Sequence, residues 1–377
     1  MRRIEGYIFM DDGAFAPGRI YIDEGIIKSV ERIPEVSLSP DEADTYVIPG
    51  LVDIHSHGAM GVDVCECNED ELIQLADYET RNGITSYCPA TMTLPMDKLE
   101  AVVRKLGSSV KNIPVFKGLY LEGPYLYAGK CGAQNSEYIT NPDAGAVRKL
   151  NDISGGMIKV VAVAPEQDGA MKFIKDLSED FVISLAHTDA DYDTAMEAIG
   201  NGATQATHLY NAMPAYNHRN PGVVGAVMDS NNVKVELIAD GIHIHPAVVR
   251  NTFKYFGRDR VILISDSMAA TGMANGIYSL AGQKVSVRDR VATVLNGLEN
   301  TDVKDEHQRV LAGSASNLMD CVKQAISMGI PREDAIIAAT RTPARQIGIF
   351  KKTGSITPGK AAELVITDDK LNVKEVI

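Results

Sequence analysis

Leu51–Gly61 reads LVDIHSHGAMG and follows directly on Ile48-Pro49-Gly50. Its apolar start suits a buried strand, and the Pro-Gly pair before it is a turn signal. In an extended segment the side chains at i and i+2 point to the same face, so His55 and His57 can converge on one point. Two ordinary polar residues at a strand end would have the same spacing. Whether the pair marks a site depends on what the rest of the chain brings beside it.

Seven further apolar segments share this character. They are GITSYCPATM (83–92), FKGLYLEGPY (116–125), GMIKVVAVAP (156–165), FVISLAHT (181–188), ATQATHLYNAM (203–213), VKVELIADGIHI (233–244) and RVILISDSM (260–268). Most are followed by a helical pattern, such as EDELIQLADYETRNG, DKLEAVVRKLGSSV, DYDTAMEAIGNG and PAVVRNTFKYFG, with an acidic, Asn or Pro start and often a Gly stop. Near-continuous apolar strands alternating with helices predict a parallel sheet buried on both faces. Eight such units predict a closed (β/α)8 TIM barrel. The structural runner-up is an open doubly wound sheet, but no G-x-G-x-x-G follows the first strand. Both ends of the chain read instead as short strands and turns: RRIEGYIFM and GRIYIDEGIIKSVE before the acidic linker SPDEADTY, and TGSITPGKAAELVITDDKLNVKEVI at the C-terminus. We expect residues 1–48 and 347–377 to form one small β-module beside a barrel spanning 49–346.

The 377 residues suffice for a barrel of roughly 250 residues plus such a module. Hydrophobic residues make up 45% and charged ones 23%, with no run near the ~18 apolar residues of a membrane span. The N-terminus meets Asp11-Asp12 before an apolar signal core can form, so a cytoplasmic protein is expected. Lys and Arg total 37 against 50 Asp and Glu, a net charge of −13. That balance argues against nucleic acid and anionic membrane as partners, and an anionic ligand would need a local cationic pocket. The cysteines (Cys65, Cys67, Cys88, Cys131, Cys321) lack C-x-x-C spacing and read as reduced thiols.

Barrel chemistry gathers at the C-terminal ends of the strands, and the metal-capable side chains of this chain fall there. Strand one ends with His55 and His57, strand three with Glu122, strand five with His187, strand six with His208, strand seven with His243 and strand eight with Asp266. Each alone has a plain reading as a hydrogen-bonded core residue or a helix cap. Together, so many titratable groups in one cleft need an ion or a hydrogen-bond network to compensate their burial. Glu122, His187 and His208 would make a three-ligand site with an open position, and His55 and His57 could supply a second ion nearby. Imidazole and carboxylate suit zinc, and also iron, cobalt or manganese, so one or two divalent ions per chain are expected. Some binuclear barrels bridge their ions with a modified lysine ending strand four. Here that strand ends VVAVAP with Lys159 at its start, which leaves Glu122 as the candidate bridge.

The segments PGLVDIHSHG, LEGPYL, LAHTDA, THLYNAMP, IADGIHIHP, LISDSMAATG, LAGSASNL and GSITPGKAAELVITD occur in this order across nearly the whole chain. In them the sequence resembles the amidohydrolase superfamily, and within it the N-acetylglucosamine-6-phosphate deacetylase family. The resemblance implies a TIM barrel beside a small β-sandwich made from both chain ends. It also implies hydrolysis of the acetamide of a phosphorylated amino sugar, N-acetylglucosamine-6-phosphate, to glucosamine-6-phosphate and acetate.

By the same resemblance, Glu122, His187 and His208 hold the catalytic metal and Asp266 is the acid/base. Asn211 and the backbone of Ala212 lie near the phosphate, and Arg219 of NHRNPG reaches it from the partner subunit of a homodimer. His243 contacts the sugar or carbonyl, and Leu311 lies by the acetyl group. The chemistry suits these residue types. An amide is a poor electrophile with a poor leaving group, so water must be activated near neutral pH, the carbonyl polarised and the nitrogen protonated. Some family members carry a histidine in the loop after LEGP, where KCGAQNSEY places Gln134, an amide that cannot carry positive charge. His218, His245 and His307 are given no role. Two alternatives remain: deacetylation of N-acetylgalactosamine-6-phosphate or another N-acyl amino sugar, and a non-catalytic metal-binding protein of the same fold.

Overall fold

The computed structural model describes residues 1–295 and 310–377; His307 lies outside them. The chain opens with β1 (Arg2–Phe9), β2 (Phe15–Asp23) and β3 (Ile26–Arg32), a short helix α1 (Pro40–Ala43) and β4 (Tyr46–Pro49). The acidic linker of the sequence holds that helix, started by a capping box in which Ser39 and Glu42 satisfy each other's backbone N–H groups. At the far end come β18 (Leu364–Thr367) and β19 (Val373–Val376). These strands join in one six-stranded sheet of order β19-β18-β4-β1-β2-β3. The sheet folds over until β3 meets the chain just before β18, with Ile27 N–H donating to Lys360 O at 2.9 Å and Ala362 N–H to Gly25 O at 2.8 Å. Strict alternation along β2 places Ile20 and Ile22 inside with Ile8, Ile27, Val47 and Ile48. This is the small β-sandwich expected from both termini.

Between them, β5 (Leu51–Ser56) begins the barrel, followed by a tight hairpin of β6 (Gly58–Ala59) and β7 (Val62–Asp63). Then strands and helices alternate: α2 (Glu69–Arg81), β8 (Ile84–Pro89), α3 (Met96–Asn112), β9 (Leu119–Leu121), α4 (Ala144–Ile153), β10 (Ile158–Val163) and α5 (Ala170–Leu177). The series continues with β11 (Val182–Leu185), α6 (Tyr192–Gly200), β12 (Ala203–Ala206), α7 (Gly222–Asp229), β13 (Lys234–Ile238), α8 (Pro246–Phe256) and β14 (Val261–Ile264). The eight strands β5 and β8–β14 are those expected from the sequence. β9 to β14 pair in parallel in chain order, and β5 pairs with β8. Parallel bridges Tyr87↔Phe116 and Ala90↔Tyr120 join β8 to β9. Asp266 N–H donates to His55 O at 3.0 Å, and His57 N–H to Ser267 O at 2.7 Å, joining the last strand to the first. Closure therefore falls on the residues that carry the candidate site.

Val52, Ile54, Cys88, Tyr120, Val160, Ala162, Ile238, Ile262 and Ile264 fill the barrel interior, with Ala344 and Ile347 packed against them. The outer faces of the strands pack on the helices through residues such as Leu72, Leu75, Leu99, Val103, Ile174 and Val249. Burial of both faces is what the continuous apolar strands predicted. One element was not foreseen: an antiparallel meander of β15 (Gly276–Leu280), β16 (Gln283–Arg288) and β17 (Val291–Val294) between β14 and α9 (Leu318–Ser327). It has a small core of its own with Met92, Ala133 and Met268 and stands beside the C-terminal rim of the barrel. Helices α10 (Arg332–Ala338) and α11 (Arg341–Gln346) complete the barrel.

Candidate metal centre and active site

His187, His208 and Asp266 each lie two positions beyond the last residue of their strand, Leu185, Ala206 and Ile264. All three adopt left-handed backbone, with φ of 43°, 28° and 47°. For residues with a Cβ this costs on the order of 1–3 kcal/mol each and concentrates at functional sites. The turn swings each side chain from the strand line over the barrel mouth. Glu122 follows directly on β9, and His55 and His57 sit at the end of β5.

The side chains meet in two groups, Glu122 with His187 and His208, and His55 with His57 and Asp266, and within each group the ligand atoms all lie within 4.8 Å of one another. Glu122 touches both. Its Oε1 is 3.2 Å from the Nε2 of His187 and of His208, while its Oε2 is 3.2 Å from Nε2 of His57. Asp266 Oδ1 lies 3.3 Å from His57 Nε2 and 3.8 Å from His55 Nε2. All six residues are buried.

The hydrogen bonds around this cluster test whether it suits a cation. His187 Nδ1 is 2.9 Å from Lys130 O, and His57 Nδ1 is 3.1 Å from Ala90 O. A carbonyl only accepts, so both Nδ1 atoms donate, and in each neutral ring Nε2 presents a lone pair to the centre. His55 is similarly held through Nδ1, 3.0 Å from Glu236 Oε2, and its Nε2 is buried without a hydrogen-bond partner among the described residues. Nε2 of His187 and Nε2 of His208 face each other at 3.2 Å beside a carboxylate oxygen. Lone pairs collected around carboxylates repel unless positive charge lies between them. Outer acceptors fixing the histidine tautomer are the usual support of a metal ligand. The residues fit a divalent ion, and Glu122 is placed to serve both groups.

Electrostatics agree. Burial alone would lower the pKa of His57, but its hydrogen bonds to Asp266 and Glu122 and their charges outweigh this and push it up to about 9. His55 is raised in the same way: burial opposes, and the charges of Glu236 and Glu122 prevail. For Asp266, burial would raise the pKa, but the His57 hydrogen bond and the charges of His55, His57 and His208 hold it below the usual carboxylate value. Glu122 is held well below that value against its burial, mainly by the charge of His55 and hydrogen bonds from His187 and His208. Without an ion, protons supply the positive charge these carboxylates require.

The cluster floors a cleft of about 390 Å³ that also exposes Lys130, Gln134, Tyr210, Asn211, Ala212, His243, Leu280, Val310 and Leu311. Asn211, Ala212, His243 and Leu311 thus line the same cleft as the cluster. Tyr210 and Ala212 have φ of 80° and 52°, forming a left-handed turn over the mouth of β12, and Ala212 O accepts from Thr188 N–H at 3.1 Å. His243 Nδ1 donates to Asp240 Oδ2 at 2.7 Å, and this partner raises its pKa against the effect of burial. Gln134 reaches the cleft but is already engaged: Oε1 accepts from Thr93 N–H at 2.6 Å, and Nε2 donates to Glu122 Oε2 at 2.7 Å. Arg219 is not in the cleft of its own chain; it lines a separate depression with Asp191, Tyr192 and Pro221.

Three contributors escaped the sequence analysis. Lys130, whose carbonyl fixes His187, is among the residues lining the cleft, and its ammonium pairs with Asp189 at 3.3 Å. Asp240 orients His243, and Glu236 orients His55. A charged residue inside the otherwise apolar VELIA of β13 was a readable signal for Glu236. Asp240, three positions before His243, was another. Nothing in the sequence singles out Lys130.

An amidohydrolase family model matches residues 46–377. The chain is 34% identical to an N-acetylglucosamine-6-phosphate deacetylase of Bacillus subtilis over 94% of its own length and 90% of the relative's. It is 32% identical to an N-acetylgalactosamine-6-phosphate deacetylase of Escherichia coli O157:H7, over 98% and 95%. Among solved structures, an N-acetyl-D-glucosamine-6-phosphate deacetylase mutant of Mycobacterium smegmatis, in complex with N-acetyl-D-glucosamine-6-phosphate, superposes with a TM-score of 0.90. It is 30% identical in sequence, and the match covers 100% of this chain and 97% of that one. The motifs at the strand ends, the barrel that gathers them and a family match reaching the C-terminus agree, and the chain belongs to the amidohydrolase family.

Proposed function

We propose that this protein is a divalent-metal-dependent deacetylase that hydrolyses the acetamide of N-acetylglucosamine-6-phosphate to glucosamine-6-phosphate and acetate. The observation that carries the reading is Asp266, a buried carboxylate of lowered pKa, facing two histidine groups that share Glu122 beneath one open cleft. A divalent ion bound there supplies a lowered water pKa and a Lewis acid for the carbonyl oxygen. Asp266 takes the proton of the attacking water and returns it to the leaving nitrogen, so the amide C–N bond breaks to a carboxylic acid and a neutral amine. Leu311 and the buried wall around it hold the acetyl methyl, and His243, oriented by Asp240, faces the sugar or the carbonyl oxygen.

For the phosphate, Asn211 and the Ala212 turn form one wall, and Arg219 reaches it from the partner subunit of a cytoplasmic homodimer. The position of Arg219 outside its own cleft supports that arrangement. A guanidinium fork suits a phosphate dianion and locally offsets the net charge of −13. Arg219→Ala is expected to raise KM for the phosphorylated sugar and hardly affect the unphosphorylated one; equal effects on both would refute the assignment. Zinc is the proposed ion, with iron, cobalt or manganese as the elemental-analysis alternatives.

A second reading, N-acetylgalactosamine-6-phosphate, is favoured by the Escherichia coli O157:H7 relative. The two sugars differ in the orientation of one hydroxyl. Acetate release measured on both phosphosugars decides between them: a higher kcat/KM for the glucosamine compound is expected, and equal or reversed preference overturns the choice.

A further inference from the structure

Glu236 lies in β13, fully buried beneath the metal centre and outside the cleft lining. Its two oxygens gather three donors from two strands, His55 of β5 and Gln205 and His208 in and just beyond β12. Oε2 accepts from Nδ1 of His55 at 3.0 Å and from the backbone N–H of His208 at 3.2 Å, and Oε1 accepts from Gln205 Nε2 at 2.5 Å. The contact with His208 holds the backbone of a residue at φ 28°. A buried carboxylate is costly unless its oxygens are met by donors; this one is met from the two sides of the metal centre at once. Gln205 in turn is aimed by Glu236, since its own Oε1 is buried without a partner among the described residues.

From this geometry we infer that Glu236 is a positioning residue for metal uptake, which seats His55 with its Nε2 toward the centre and so decides whether the His55/His57/Asp266 group holds an ion of its own. His57 takes its Nδ1 acceptor from a main-chain carbonyl, which no substitution removes. His55 depends wholly on the Glu236 side chain. Without it, the ring is free to carry its proton on Nε2, where it blocks a cation. The Glu122/His187/His208 group keeps the Lys130 carbonyl on His187 and loses only one backbone contact, at His208.

The inference rests on the metal-dependent reading above but is tested apart from turnover. Chelator-stripped protein is titrated calorimetrically with Co²⁺, and the nitrogen that carries the proton of the neutral His55 ring is read by ¹⁵N NMR at alkaline pH. Wild type is expected to take two ions per chain. Glu236→Met should weaken the second by about 10–100-fold and the first by much less, and move the His55 proton from Nδ1 to Nε2. Glu236→Gln, an acceptor of the same size without the charge, should recover most of the second ion and keep the Nδ1 proton, which also controls for folding. Both variants retaining both ions with His55 unchanged would overturn the inference, and so would equal losses of the two ions, the mark of a merely structural role. Wild type taking a single ion would overturn it together with the two-ion reading. Two ions bound without acetate release would overturn the deacetylase reading alone.

Discussion

Asp266 can be altered without disturbing its surroundings because Asn, like Asp, tolerates the left-handed backbone that the position requires. Asp266→Asn is therefore expected to keep its ion content by elemental analysis while acetate release falls about 10²–10⁴-fold, the usual contribution of a positioned acid/base. Undiminished turnover would remove Asp266 from the role. Gln134 was legible as a cleft residue, but its partner was not: no spacing shows that an amide 12 positions after Glu122 turns back to bind it. Gln134→Ala leaves Thr93 N–H and Glu122 Oε2 each short of a partner, which costs about 1–3 kcal/mol for a buried group left unsatisfied. Thermal unfolding of ion-free protein should show that loss.

At the scale of elements, the strand exits carry the chemistry. Gly123, between Glu122 and the turn that follows, has φ +81°, and a Cβ there would lie 2.1 Å from Thr93 Oγ1 and 3.1 Å from Thr93 Cα. Thr93 in turn holds Gln134 through its N–H. Gly123→Ala should thus disturb the Thr93–Gln134–Glu122 chain and weaken metal binding. Gly25→Ala, also at positive φ (+71°) but with open space around its Cβ, should cost only the backbone strain of about 1–2 kcal/mol and leave metal affinity intact. Equal effects of the two on a cobalt titration would show that the packing around Gly123 is unimportant. The eight strands with most of their helices were readable from apolar runs and caps, although the third was read through LEGPY and ends at Leu121. The β15–β17 meander was not, because its short alternating strands resemble the ordinary loops of a barrel rim and its core is completed by Met92, Ala133 and Met268 from elsewhere in the chain.

For the whole molecule, the centre couples ion binding to protons. In the ion-free protein the His57 pKa stands near 9 against 6.5 for an unperturbed ring. A raised folded-state pKa contributes stability that is fully present below pH 6.5 and is lost as pH rises through 9, here amounting to about 3 kcal/mol. Ion-free protein should accordingly lose thermal stability across that window. The same proton competes with the ion, so metal affinity should rise with pH across that window. Affinity independent of pH between 6.5 and 9 would exclude His57 from the ligands.

The barrel class, the sandwich from both ends and the identity of the polar residues at the strand exits were determined by the sequence alone, because burial on two faces leaves a continuous apolar signature and polar interruptions stand out against it. Only the tertiary structure decided which oxygen of Glu122 faces which histidine, that Gln134 and Glu236 hold those groups from behind, and that Arg219 stands apart from its own cleft. These are relations between residues tens to hundreds of positions apart. Their distances come into being when the last strand closes on the first through the backbone hydrogen bonds of His55, His57, Asp266 and Ser267, and local propensity carries no information about that closure.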